Sequence, residues 1–97
     1  MTCITRDVYD TLSQYYDLSS NQLSRHCGRS KSYLRSLWAR SAEPSLEAMF
    51  CLYCSLNDFA ENAEEETEKG QITDVTDRVW SEMERQAANL LENAHAA

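Results

Sequence analysis

The chain has 97 residues and a formal net charge of −7, and 42% of its residues are apolar. A chain of this length supports one small hydrophobic core, which excludes several independently folded domains. Two glycines and one proline leave few positions for the tight turns of β-hairpins. The composition therefore predicts an all-α fold.

The sequence contains no run of about 18 consecutive apolar residues, the length that a membrane-spanning helix needs. The first residues, MTCITRDVYD, lack the charged-then-apolar order of a secretory signal. We therefore expect a cytoplasmic protein that does not associate with a membrane, with its four cysteines reduced.

The chain begins with two predicted amphipathic helices. Apolar residues at three- and four-residue steps predict a helix over residues 6–16, with Thr5 as its N-cap. A second helix of about two turns follows over residues 20–27, with Ser19 or Ser20 as its N-cap. Each helix is expected to bury one face.

A glycine turn separates the second helix from a third. Gly28 suits the left-handed conformation that ends many helices, and Ser30 is the predicted N-cap of a helix over residues 31–39. Pro44 breaks the chain before a fourth helix that Ser45 caps. Seven apolar residues are expected to form one small core between these helices: Leu23, Cys27, Leu34, Leu37, Leu46, Met49 and Leu52.

The last part of the chain predicts one or two more helices, five or six in all. The acidic stretch NDFAENAEEETEKG predicts a helix that ends at Gly70, and the longest helix restarts near Thr73 or Asp74. Its apolar stripe must be buried, either against a second copy or against the first and fourth helices of its own chain. The predicted dimer interface consists of Val75, Val79, Trp80, Met83, Leu90 and Leu91.

Charge is distributed unevenly along the chain. Residues 18–57 contain five basic and two acidic residues, a net charge of +3. Residues 58–97 contain three basic and eleven acidic residues, a net charge of −8. Such asymmetry favours nucleic-acid contact by the basic part. We predict a DNA-binding domain over residues 1–57 and an acidic, dimerising helical extension over residues 58–97.

Residues 18–56 resemble a known helix-turn-helix. The matching positions are Leu18, Ser19, Leu23, Ser24, Gly28, Ser30, Leu34, Leu37, Pro44, Ser45, Leu46 and Leu56. In this order they resemble the helix-turn-helix of phage Cro and lambda-type repressors, the XRE family. The resemblance implies a sequence-specific transcriptional regulator. It would bind a palindromic operator in double-stranded DNA as a homodimer, with helix 31–39 in the major groove.

The resemblance also implies which residues contact DNA. Residues at the start of the second helix meet phosphates, Lys31, Ser32 and Arg35 read base edges, and Tyr33 reaches a thymine methyl group or a phosphate. The complete predicted set is Ser20, Asn21, Gln22, Arg29, Lys31, Ser32, Tyr33, Arg35 and Arg40.

Other classes of function have weaker support in the sequence. No arrangement of nucleophile, base and orienting residue is visible, so we expect no enzyme, no cofactor and no small-molecule substrate. Cys51 and Cys54, with His26 and Cys27, have the residue types of a zinc site, but they fall within predicted helices, so no metal is expected. The alternative is a protein-interaction module, antitoxin-like or antirepressor-like, that keeps the helix-turn-helix scaffold without binding DNA.

Overall fold

The computed structural model describes residues 3–96, which contain five helices and no strand. The helices are α1 (Ile4–Ser13), α2 (Ser20–His26), α3 (Tyr33–Arg40), α4 (Leu46–Glu61) and α5 (Glu66–Ala96). The predicted all-α fold with a longer C-terminal helix is therefore confirmed. No helix among these residues combines the length and the apolar character that crossing a membrane requires.

Helix α1 starts and ends earlier than the sequence pattern predicted. Its N-cap is Cys3, and it ends at Ser13. Thr5 is fully buried within the first turn, and its Oγ1 accepts a hydrogen bond of 2.9 Å from Trp38 Nε1. The prediction of Thr5 as N-cap was wrong because its hydroxyl serves a tertiary contact with α3.

Helix α2 follows the prediction closely. Ser19 is its N-cap and forms a capping box: the Ser19 hydroxyl accepts from the Gln22 N–H, and Gln22 Oε1 accepts from the Ser19 N–H. At the other end Gly28 has a φ of 70°. The Gly28 N–H donates to the Arg25 carbonyl and the Arg29 N–H to the Ser24 carbonyl, which is the Schellman pattern.

Helix α3 begins at Tyr33, two residues later than predicted. The Tyr33 N–H donates to the Ser30 carbonyl, so Lys31 and Ser32 lie in a turn and Ser30 is not the N-cap. The reason is a cap supplied by another helix. The N–H of Leu34, in the first turn of α3, donates to the buried Ser24 hydroxyl of α2 at 3.0 Å.

Helix α4 has the predicted N-cap and passes the predicted domain boundary. The Ser45 hydroxyl accepts from the Ala48 N–H at 3.2 Å. The helix continues to Glu61, so residue 57 lies within an unbroken element. Residues before and after it contribute to one shared hydrophobic core.

Helix α5 is a single helix of 31 residues that runs through Gly70. The predicted stop at Gly70 and restart near Thr73 were wrong because tertiary contacts hold this stretch in place. Tyr16 Oη donates to Glu68 Oε2 at 2.7 Å, and Ile72 is fully buried. Gly70 itself is exposed, and it costs α5 about 0.5–1 kcal/mol relative to alanine.

The hydrophobic core receives side chains from all five helices, and α5 packs against α4 and α1. Val75, Val79 and Met83 are buried in this core. The prediction that a second copy buries these three was wrong, because α5 covers α1 and α4 of its own chain. Six of the seven predicted core residues are buried, and Leu46 is half-buried.

Ser24→Ala is expected to lower the free energy of unfolding by about 1–3 kcal/mol, because the buried Leu34 N–H loses its acceptor. Urea denaturation followed by circular dichroism measures the change. The control is Ser36→Ala, at an exposed position of α3, with an expected change within about 0.5 kcal/mol. Equal effects of the two substitutions would contradict the capping role of Ser24.

The two glycines are expected to respond to alanine with opposite signs. A Cβ at Gly28 would lie 3.0 Å from Cys51 Sγ on a backbone with positive φ, so Gly28→Ala should destabilise by about 1–2 kcal/mol. A Cβ at Gly70 meets nothing within 4 Å, so Gly70→Ala should stabilise by about 0.5–1 kcal/mol. Thermal unfolding checks both, and destabilisation by Gly70→Ala would contradict a continuous α5.

Candidate nucleic-acid interface

Helices α2 and α3 form a pair whose geometry is fixed from inside. Leu23, Leu34 and Leu37 are buried between them and the rest of the core. The fully buried Ser24 hydroxyl donates to the Ser20 carbonyl at 2.9 Å and accepts from the Leu34 N–H. One side chain thus satisfies backbone groups of both helices and sets where α3 begins.

All nine predicted DNA contacts lie on α2, on α3 or on the turn between them. Seven are exposed, while Ser20 and Tyr33 are half-buried. Lys31 and Ser32 lie on the turn rather than on the helix. Arg35 lies in the first turn of α3. The exposed residues of the set are Asn21, Gln22, Arg29, Lys31, Ser32, Arg35 and Arg40.

Arg29 and Tyr33 are tied to the start of α4. Arg29 Nη2 donates to Ser45 Oγ at 2.9 Å and lies 3.7 Å from a Glu47 carboxylate oxygen. Its guanidinium lies 5.7 Å from the centre of the Tyr33 ring, and Tyr33 Oη accepts from the Ser45 N–H at 3.1 Å. These contacts fasten the turn to α4, and Glu47 offsets part of the Arg29 charge.

Four other basic side chains on this pair have no such partner. Within residues 3–96, Arg25, Lys31, Arg35 and Arg40 form no salt bridge, and all four are exposed. Arg40 Nε donates to the Ser36 carbonyl, so part of its side chain lies along α3. The predicted set omitted Arg25, although its place one turn before Gly28 could have identified it.

In contrast to these four side chains, Arg78 and Arg85 of α5 form ion pairs with acidic residues. Arg78 forms an ion pair with Asp7 of α1. Arg85 contacts Glu43 at 2.7 Å and Glu82 at 2.9 Å, and these carboxylates raise the pKa of its guanidinium. Within residues 3–96, six basic side chains form no salt bridge, and four of them lie on α2, α3 and their turn. The other two are Arg6, which lies over the Trp38 ring, and Lys69 of α5.

Cys27, Cys51, Cys54 and His26 differ in their burial and in their contacts. Cys27 is buried, whereas Cys51 and Cys54 are exposed on α4. His26 Nδ1 lies 3.2 Å from Ser55 Oγ, and its ring packs edge-on against Phe59. Residues 3–96 contain no group of three or more histidine, cysteine or acidic side chains that could hold a metal ion.

A family model matches residues 6–97; it describes a family of unknown function, DUF6626. The chain belongs to this family. The residues matched by DUF6626 include the α2–α3 pair and the whole of α5 that the structure describes. No curated protein and no solved structure matches the chain significantly.

An alkylating reagent at neutral pH is expected to modify Cys51 and Cys54 in the native protein and to spare Cys27. Burial raises the pKa of the Cys27 thiol to about 12, so the reactive thiolate is scarce there. Peptide mass spectrometry after a short labelling time measures the three rates. Labelling in urea is the control, since unfolding should make the rates similar. Rapid native labelling of Cys27 would contradict its burial.

Proposed function

We propose that the protein is a sequence-specific DNA-binding regulator, in which α3 and the turn before it enter the major groove. The observation that carries the proposal is the set of four exposed, unpaired basic side chains on the α2–α3 pair. Phosphate contacts through lysine and arginine supply much of the affinity for DNA.

Local charge supports this proposal despite the net charge of −7. A DNA phosphate near the surface is screened from charges farther away than about one Debye length, roughly 8 Å at physiological salt. The acidic residues of α5 repel DNA that approaches other faces, and this repulsion orients the protein during encounter. The α2–α3 face is therefore the surface on which DNA binds best.

The start of α3 has residue types that read bases. The N-terminal residues of a recognition helix contact base edges in the major groove. Here that region presents Lys31 and Ser32 on the turn and Arg35 in the first helical turn. Arginine donates two hydrogen bonds to guanine O6 and N7, and lysine reaches the same atoms. Arg25 and Arg40, near the ends of α2 and α3, are suited to phosphates.

Specific recognition requires two copies. Helix α3 has eight residues, and one such helix reads only part of a turn of DNA. Helix-turn-helix proteins therefore place two recognition helices about 34 Å apart on a palindromic site. The operator expected for this protein is palindromic, with one half-site for each copy.

A protein-interaction module is the second candidate, and a specific observation favours it. Gln22 is engaged in the α2 capping box, and Arg29 and Tyr33 are bound to the start of α4. Arg40 Nε also donates to the Ser36 carbonyl, so four of the nine predicted DNA contacts have side chains with intramolecular partners. In this case the α2–α3 pair serves as a scaffold, and the protein binds no DNA site above background.

Arg35→Ala is expected to weaken binding to a selected site by about 1–3 kcal/mol and to relax the preference at one base pair, because a bidentate contact is lost. The site is first selected from random-sequence DNA, and fluorescence anisotropy measures affinity. Lys69→Ala on α5 is the matched control, since it removes one exposed positive charge away from the α2–α3 pair.

Two outcomes would contradict these roles. Equal losses on selected and random DNA for Arg35→Ala would contradict base reading and would leave only a phosphate contact. The interaction module would be favoured by two results together. The selection would enrich no DNA site, and the unchanged protein would bind random DNA no better than a variant with both Arg25→Ala and Arg40→Ala. For a true DNA contact, affinity falls steeply as salt rises.

A further inference from the structure

Helices α4 and α5 leave large apolar side chains uncovered. Among residues 3–96, the exposed large hydrophobic side chains are Phe50 (49%), Trp80 (45%), Leu90 (59%) and Leu91 (62%). Phe50 and Trp80 line a groove of about 630 Å³ between α4 and α5. Leu90 and Leu91 lie on the last turns of α5. The exposed apolar surface of the fold is therefore concentrated on these two helices.

The groove is preformed and almost entirely apolar. Leu46 and Phe50 of α4 and Met83 and Ala87 of α5 line it together with Trp80. The Trp80 ring packs against Tyr53 with centroids 5.2 Å apart, which holds the indole in place. An ordered apolar surface of this kind needs no rearrangement before a partner binds, which lowers the cost of association.

The wall of the groove continues along the end of α5. Trp80, Ala87, Leu91 and Ala94 follow one another at steps of seven, four and three residues, so they share one face of the helix. Residues 88–95 are all exposed, because the core ends near Met83. A helix of 31 residues is about 46 Å long, close to the longest dimension of the fold, 48 Å. The last turns of α5 therefore extend past the core.

We propose that a second copy of the chain covers this surface, with the two α5 helices crossing antiparallel at Ala87. Leu91 of each copy then inserts into the groove of the other, against Phe50 and Trp80. This arrangement deepens the DNA-binding proposal, which requires two copies, and it is tested below without DNA.

Self-complementarity is the first argument for a second copy. A two-fold interface needs a groove and a matching projection on the same surface of one chain. The stripe supplies both, since its groove begins at Trp80 and its projecting side chain, Leu91, lies three turns further along. With Ala87 at the two-fold axis, residue 83 faces residue 91 of the other copy. The small side chain of Ala87 allows the two helices to approach closely at the crossing.

Charge is the second argument. Two acidic residues line the groove. Glu47 of α4 lies 3.7 Å from Arg29 of its own chain, and the other is Glu84 of α5. In the antiparallel register it faces residue 90 of the other copy, which is Leu90, and not a second Glu84. From Gln86 onward, the sequence contains one carboxylate, Glu92, and no lysine or arginine. The most acidic stretch of the chain, residues 58–68, contains six acidic and no basic residues and lies outside the overlap. Each chain of net charge −7 therefore brings a net charge of only −2 to residues 80–94.

The expected dimer is of modest affinity. An overlap over residues 80–94 extends about 22 Å along α5, and with the α4 wall it forms a small interface. Sedimentation equilibrium of the full chain at tens of micromolar should therefore give a mass approaching twice the 11.1 kDa of one chain.

Leu91→Glu and Phe50→Glu should each raise the dissociation constant at least about tenfold, because a charge enters the apolar contact. Asn89→Glu adds the same charge on the opposite face of α5 and should leave the constant unchanged.

A disulfide test reports the register. In a chain with Cys51→Ser and Cys54→Ser, Ala87→Cys should form an interchain disulfide under mild oxidation, because the two thiols meet at the two-fold axis. Asn89→Cys in the same background should not, since it faces away from the partner. Unchanged helical circular dichroism for every variant shows that the fold is retained.

Three results would overturn the proposal. In the first, the wild-type chain stays monomeric. In the second, it dimerises, but Leu91→Glu and Phe50→Glu leave the dissociation constant unchanged. In the third, the Asn89→Cys chain cross-links efficiently and the Ala87→Cys chain does not. A monomeric chain whose groove binds a basic amphipathic peptide would assign the surface to a different partner. DNA affinity is measured separately through Arg35→Ala, so loss of DNA binding by a chain that still dimerises counts against the proposed function alone.

Discussion

The placement of α3 depends on the hydrogen bond from the Leu34 N–H to the Ser24 hydroxyl. This hydroxyl is fully buried, donates to a carbonyl of its own helix and accepts from the Leu34 N–H of the next. The first N–H groups of a helix have no acceptor within the helix, and a capping side chain next to the helix usually supplies one. For α3 the acceptor is the Ser24 hydroxyl of α2. The consequence is a later start for α3 and a longer turn, which carries Lys31 and Ser32 outside the helix. The surface that α3 presents therefore follows from a contact buried beneath it.

Local features of the fold were predictable and tertiary ones were not. The caps at Ser19 and Ser45 and the left-handed Gly28 depend on neighbouring residues, so the sequence pattern predicts them correctly. The role of Thr5 depends on Trp38, which is 33 residues away. The continuity of α5 through Gly70 depends on hydrogen bonds from Tyr15 and Tyr16, which follow α1, and these contacts outweigh the low helix propensity of glycine. Helix type could thus be predicted, and helix number only as five or six, while starts and stops set by distant partners could not.

The candidate site divides in the same way. The basic middle of the chain is visible in the sequence, and exposed Arg35 lies on α3 as the pattern predicted. Lys31 is also exposed, but it lies on the turn before α3 and not on the helix. Which cations stay unpaired is a property of the folded chain. Arg29 finds Glu47 and Ser45 across a turn, and Arg78 finds Asp7 at the far end of the sequence. A count of charges along the sequence treats all these residues alike. Only their packing shows which basic side chains pair with acidic residues of the fold and which stay unpaired on the surface.

The packing of α1 against α5 also governs how the chain reaches its fold. Asp7 pairs with Arg78, 71 residues later, and Val8 and Leu12 belong to the same core as Val75 and Val79. Contacts between such distant residues require a large loop to close first, which slows folding relative to a bundle of sequential neighbours. During synthesis α1 emerges long before α5, and its apolar face stays uncovered until residues 72–83 are available. The core that sets the α2–α3 pair is therefore completed only when α5 packs against α1 and α4.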